Sequence, residues 1–164
     1  MTFATNGVTN VKSLANGEAG EPAIIGTVNH GYITTSNLQP TLTMTTTDMN
    51  ALEQPVSVPR DGNISSLSVY YLASSATTVG SDATMSVEVY VSDPPSNTFT
   101  STGFKVDFPL PNSVPLGNNA SLTFDSATPL PVNKSALMVL VGSLTTGAGE
   151  ITFPVYINGS VAIT

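Results

Sequence analysis

The sequence contains no cysteine and no tryptophan, a single histidine, and only four lysines and arginines together. Each shortage removes a class of function. Without cysteine there is no disulfide, no thiolate nucleophile and no cysteine-ligated zinc. One imidazole cannot furnish a multi-histidine metal site. Four cations against 11 carboxylates give a net charge of -7, which cannot form the positive footprint that displaces counterions from nucleic acid. Charged residues make up 9% of the chain, where an ordinary soluble domain carries about 25%. The longest apolar run, Ala136–Val141, is six residues, against the roughly 20 of a membrane-spanning helix. Met1–Ser13 has no basic start followed by an apolar core, so no secretory signal is read there.

What the chain has instead is hydroxyl groups: 23 Thr and 19 Ser, 42 of 164 residues. Its polarity therefore comes from side chains that hydrogen-bond without carrying charge. Thr and Val are abundant while Glu, Lys and Gln are scarce, and no segment repeats apolar residues at helical spacing over three turns. Two-residue alternation is plain. In Ala83–Ser92, Met85, Val87, Val89 and Val91 oppose Ser86, Glu88, Tyr90 and Ser92. Phe104–Phe108 sets Phe104, Val106 and Phe108 against Lys105 and Asp107, and Ile151–Ile157 sets Ile151, Phe153, Val155 and Ile157 against Thr152, Pro154 and Tyr156. These are half-buried strands, since successive side chains on a strand take opposite faces.

Further strands are predicted at Ala23–Val28, Tyr32–Thr35, Thr41–Thr46, Pro55–Pro59, Ile64–Ala73, Ser121–Phe124 and Gly159–Ile163. Leu137–Leu144 is apolar at nearly every position and predicts a strand covered on both faces. Turn residues separate the strands at Asp61-Gly62-Asn63, Val79-Gly80-Ser81, Pro94-Pro95, Gly117-Asn118-Asn119, Gly147-Ala148-Gly149 and Asn158-Gly159. About ten short strands with regular turns predict an all-β sandwich of the jelly-roll kind over residues 23–164. Residues 1–22 alternate little and read as a flexible leader. Gly17-Glu18-Ala19-Gly20-Glu21-Pro22 forms two Gly-X-Y triplets, which could mark the end of a collagen-like stalk.

No catalytic constellation stands out. His30 lies in the turn-like run Asn29-His30-Gly31-Tyr32 and reads as a solvated turn residue. There is no Gly-x-Ser-x-Gly elbow to raise a serine nucleophile. Asp61-Gly62-Asn63 resembles half a calcium loop, but the bidentate Glu and the further oxygen ligands are missing. Its bland reading is a turn in which Gly supplies positive φ. The eleven carboxylates are spread one to a strand or turn, as solvated surface groups are. Asn63, Asn119, Asn133 and Asn158 begin glycosylation sequons, expected by chance in a chain with 13 Asn and so many hydroxyls. No enzyme activity, cofactor or metal is expected.

The stretch Val56-Ser57-Val58-Pro59-Arg60-Asp61-Gly62-Asn63-Ile64, followed by Leu67-Ser68-Val69-Tyr70-Tyr71, resembles the C-terminal domain of BclB-type exosporium glycoproteins, collagen-like surface proteins of spore-forming bacteria. The likeness continues through Val87–Ser92, Ser96–Thr100, Pro131-Val132 and Leu137–Val141 to the final strand, Ser160–Thr164, and Ala23-Ile24-Ile25 is similar to the family's start. It implies a trimeric head, similar to tumour-necrosis-factor and complement-collectin jelly rolls, at the tip of a collagen-like filament on the spore surface. Such a head is assembled from the mother-cell cytoplasm, which suits a chain without a secretory signal. A long Gly-X-Y repeat is missing here, and the family lends no catalytic residue. The expected partner is a second and third copy of the chain, with a host receptor or surface glycan as a further candidate, and neither nucleic acid nor membrane insertion. The rival reading is a lectin-like head that gains avidity from three weak sites. Tyr70, Tyr90 and Tyr156 lie on strand faces opposite the apolar ones, and interfaces enrich tyrosine. They are expected to line the threefold contact with Met138 or Leu140, covering the second face of the doubly apolar strand.

Overall fold

The computed structural model describes residues 1–27, 29–33, 37–45 and 55–164. Its strands are β1 (Thr2–Ala4), β2 (Thr9–Lys12), β3 (Ala23–Ile25), β4 (His30–Tyr32), β5 (Thr41–Thr43), β6 (Val56–Ser57), β7 (Gly62–Ala73), β8 (Thr77–Thr78), β9 (Thr84–Ser92), β10 (Thr98–Pro109), β11 (Ser113–Val114), β12 (Asn119–Val132), β13 (Leu137–Thr145) and β14 (Thr152–Ile163). No helix occurs among the described residues. The expected strand ends at Val28, Thr34-Thr35 and Thr46 lie outside the described residues.

Two antiparallel sheets face each other. In the first the order is β1-β14-β7-β12, with β2 also on β14; in the second it is β4-β3-β13-β9-β10-β5, with β6 also on β13. The strands β2, β3, β7, β9, β10, β12, β13 and β14, counted in chain order, give first-eighth-third-sixth in one sheet and second-seventh-fourth-fifth in the other. Every connection between them crosses from sheet to sheet except the β9–β10 hairpin. That interleaving of two Greek keys is the jelly roll. It is the predicted architecture, reached through strand order rather than strand count.

The alternating residues fill the space between the sheets. Leu67, Val69 and Tyr71 of β7 and Phe153, Val155 and Ile157 of β14 meet Met85, Val87 and Val89 of β9 and Met138 and Leu140 of β13, all buried. A second cluster lies outside the second sheet, where Val139, Val141 and Tyr90 are covered by Ile24, Ile33, Leu42, Met44 and Phe99. The prediction that Leu137–Leu144 is covered on both faces holds. The cover is the chain's own Ile24, Ile33, Leu42, Met44 and Phe99, not a neighbouring subunit.

Three local expectations change. Residues 1–22 are not a leader: Phe3 and Val11 are buried, β1 and β2 both pair with β14, and Ser13 bridges Ala19. The Gly-X-Y triplets therefore sit in a folded turn, where Gly17 has φ +83° and its Cβ position lies against the Thr146 carbonyl. Asn158-Gly159 is no turn but the middle of β14; a Cβ on Gly159 would come within 2.5 Å of Leu140 Cδ1 across the sandwich, so the glycine is there for clearance. Gly62 likewise opens β7 without positive φ, beneath Ile163 and Thr164.

Truncating Phe3 to Ala is expected to cost about 3–5 kcal/mol, the usual loss for a buried phenylalanine. A thermal or urea melt reads this directly, and an unchanged midpoint would return residues 1–22 to the status of a leader.

Candidate functional site

Among the described residues, the outer face of the first sheet is a broad open sheet surface. Alternation puts Ser66, Ser68, Tyr70 and Leu72 of β7 on it, beside Pro154, Tyr156, Asn158 and Ser160 of β14 and Asn119, Ser121 and Thr123 of β12. The register sets Tyr70 between Asn158 and Ser121, and Leu72 between Tyr156 and Asn119. Ser68 and Thr123 hydroxyls are bonded at 2.7 Å. Tyr70 and Tyr156 are 37% and 38% exposed. In all of this stretch there is no charged side chain; Asp125, where the β12 ladder breaks, is the first met.

Beside the two tyrosines the surface sinks into a depression of about 600 Å³, walled by Thr5, Asn6 and Gly7 from the β1–β2 connection, by Thr27, and by Leu72 and Asn158. A shallower hollow of about 260 Å³ runs on past Ser68, Ser121 and Ser160 and shares Tyr70 and Asn158 with it. The two form one groove. Its lining offers phenol rings, amides and hydroxyls, with no carboxylate, imidazole or amine among the lining residues. Such a surface can stack against rings, bury apolar edges and exchange hydrogen bonds; it lacks a group that moves protons near neutral pH.

His30 stands behind one wall. It belongs to β4 rather than to a solvated turn; its Nδ1 donates to the Thr5 carbonyl at 2.8 Å and its ring meets Tyr32 edge-on at 5.9 Å. The imidazole thus positions the β1–β2 connection. Asp61 accepts the Lys134 N–H at 2.6 Å, so one oxygen of the supposed half calcium loop already has a structural partner.

Two of the five expected contact residues, Tyr70 and Tyr156, come together on the groove. The other three are a correction: Tyr90 is 1% exposed, and Met138 and Leu140 are fully buried. Met138 and Leu140 point between the sheets, while Tyr90 clusters with Ile33, Leu42 and Met44, its hydroxyl donating to the Gln39 carbonyl at 3.0 Å. None can touch another subunit without unfolding its own. Asn158 was missed as a site residue because it precedes Gly, a pair that reads as a turn, and Asn6 because it lies in the segment read as a leader. Thr5 and Thr27 carry no local signal at all.

No family model matches the chain, and no curated protein does. Among solved structures it is similar to Eiger TNF from S. frugiperda, with 16% identity, 99% of this chain and 90% of that one covered, and a TM-score of 0.45. It is similar too to the Broad Bean Stain Virus structure, with 13% identity, 98% and 90% covered, and a TM-score of 0.36. The jelly-roll assignment rests on this chain's own strand order.

Burial pushes the phenols of Tyr71 and Tyr90 above their ordinary 10.0, and the Glu88 carboxylate adds to the effect at Tyr90. In the unfolded chain both ionise near pH 10. Above that pH the unfolded state binds fewer protons than the folded one, so stability falls as pH rises. Urea midpoints are expected to hold up to about pH 10 and decline beyond it. Tyr90→Phe should flatten that decline while losing the Gln39 bond, and an equally steep alkaline limb in the variant would count against the assignment.

Proposed function

We propose that the chain is a non-catalytic, trimerising head of the BclB exosporium type, a structural and surface-presentation module of a collagen-like spore-surface protein assembled from the mother-cell cytoplasm. The family part of this reading comes from the sequence resemblance. The observation that carries self-association is the outer face of the first sheet: uncharged, broad, and bearing two half-exposed tyrosines in a chain of net charge -7. Copies with the same net charge repel one another. They meet at least cost where neither presents a charge, and tyrosine gives such a surface apolar area with a hydroxyl that can stay wet. The contact residues are Tyr70 and Tyr156 from the expected set, with Leu72 and Asn158 beside them.

The groove supports a second reading. Two phenols beside the amides of Asn6 and Asn158, with no charge in the lining, suit a neutral saccharide whose ring stacks on tyrosine and whose hydroxyls meet amides. On that reading the partner is a surface glycan.

Light scattering decides between them. Self-association through this face predicts particles built from threefold units of about 51 kDa, three copies of the 16.9 kDa chain. The double variant Tyr70→Asp, Tyr156→Asp should stay soluble and folded but lose the threefold particle, leaving no more than two copies together, because each carboxylate would be buried unpaired in the contact at several kcal/mol. On the exposed face of a lone protomer the same changes cost about 0.5 kcal/mol or less. A wild-type monomer that binds neutral saccharides, and loses them on Tyr156→Ala, would establish the second reading instead.

A further inference from the structure

β12 is the longest strand, 14 residues, and lies at the end of the first sheet with β7 as its one ladder partner. Such an edge leaves a row of backbone N–H and C=O groups unpaired. The other edges among the described residues are blunted. β1, β2, β4 and β5 run for only three or four residues. β10 is open beyond its pairing with β5 at Thr98–Thr100, but that open stretch carries Lys105 and Asp107, ion-paired at 3.3 Å, and ends on Pro109. Charges and proline are the usual protection of an edge. From Asn119 to Phe124, β12 has neither.

This undefended run is exposed at every residue but Ala120, which is half-buried. It also presents apolar groups where a solvated edge would not: Leu122 is 40% exposed, and Phe124, 37% exposed, meets the Phe104 ring edge-on at 5.5 Å. The ladder with β7 is regular from Asn119 to Asp125 and breaks only beyond it. The run is therefore held extended before any partner arrives.

We propose that β12 pairs antiparallel with β12 of a second copy, about a twofold axis at Leu122. The sequence matches itself in that register. Asn119 falls opposite Asp125, Ala120 opposite Phe124, Ser121 opposite Thr123, and Leu122 opposite itself. The carboxylate meets an amide rather than another carboxylate, hydroxyl meets hydroxyl on the outer face, and the apolar groups line one side throughout. A one-residue slip sets Leu122 against Thr123 and destroys the match. Centring the pair on Asp125 would set two carboxylates against each other. The contact is isologous and closes at two copies. It uses the strand edge rather than the outer face that carries Tyr70 and Tyr156, although Ser121 borders both; without threefold assembly it gives two copies, and with it the contact joins one trimer to another.

The absence of cysteine makes the register testable by single cysteines. Residues facing each other in an antiparallel pair have Cα atoms about 4.5–5.5 Å apart, inside the span a disulfide bridges. Under mild oxidation Leu122→Cys should form covalent dimers. Ser121→Cys alone should form about tenfold fewer, because its two copies stand too far apart in this register. Ser121→Cys mixed with Thr123→Cys should restore the yield. Equal cross-linking at all three positions, or none at 122, overturns the proposal. Should Leu122→Cys fold poorly, hydrogen exchange of the unmodified chain tests the same pairing: amides in 119–125 gain protection as concentration rises, and concentration-independent exchange there contradicts it. The Tyr70→Asp, Tyr156→Asp background should keep the Leu122→Cys cross-link, so failure of the tyrosine face and failure of the edge are read separately.

Discussion

The strand Leu137–Thr145 has apolar side chains on both faces, and both must be taken from water for the sandwich to exist. Its inward residues, Met138 and Leu140, meet β7 and β14 in the ordinary way of a two-layer domain. Its outward residues, Val139 and Val141, require a third layer. The chain supplies that layer itself, by carrying Ile33, Leu42 and Met44 over the second sheet on to Tyr90 and Phe99. The Tyr90 hydroxyl, which would be costly to bury unpaired, finds the Gln39 carbonyl in the covering segment. Ile33, Leu42 and Met44 are in this sense part of the core.

The second sheet is covered by its own chain around Val139, Val141 and Tyr90, with the charged Lys105 and Asp107 exposed on β10; among the described residues the uncharged open sheet surface is on the first. Charge is kept off its middle. Lys12, near one margin, is held by Glu21 at 2.5 Å and lies over the Tyr32 ring. Asp125 marks the point where the β12 ladder breaks before it resumes at Leu130. Between them lie hydroxyls, amides and two phenols. A surface of this kind recognises by shape and hydrogen bonding, with little long-range steering. That suits contacts between like copies better than capture of a charged ligand.

Much of the architecture was legible in the sequence, and the places where it was not have physical causes. The alternations in β7 and β9 are long enough for the two-residue period to be unmistakable, and both lie where predicted, whereas Phe104–Phe108 marked only part of β10 and β14 was read as two strands split at Asn158-Gly159. β1 and β2 have three and four residues, too few to show a period, so a segment contributing the buried Phe3 and Val11 looked like a leader. Asn158-Gly159 carries the composition of a turn, but its glycine answers to Leu140 on the other sheet, a contact no local pattern encodes. Tyr90 and Tyr156 show the same polar-face pattern, yet one is buried and the other open. The difference lies in residues some fifty positions away in sequence, at Gln39. Half of the site was therefore visible: its tyrosines were found, and the amides that complete the groove were hidden in an apparent turn and an apparent leader.

On the proposed assembly the two sheets are closed differently, one by its own chain and one by another copy. Nitration of the tyrosines in the assembled protein, mapped residue by residue by mass spectrometry, tests this most directly. Tyr90 is expected to be protected at every concentration, whereas Tyr70 and Tyr156 should be protected in concentrated solution and react on dilution. Tyr70 and Tyr156 reacting as readily in concentrated as in dilute protein would contradict it.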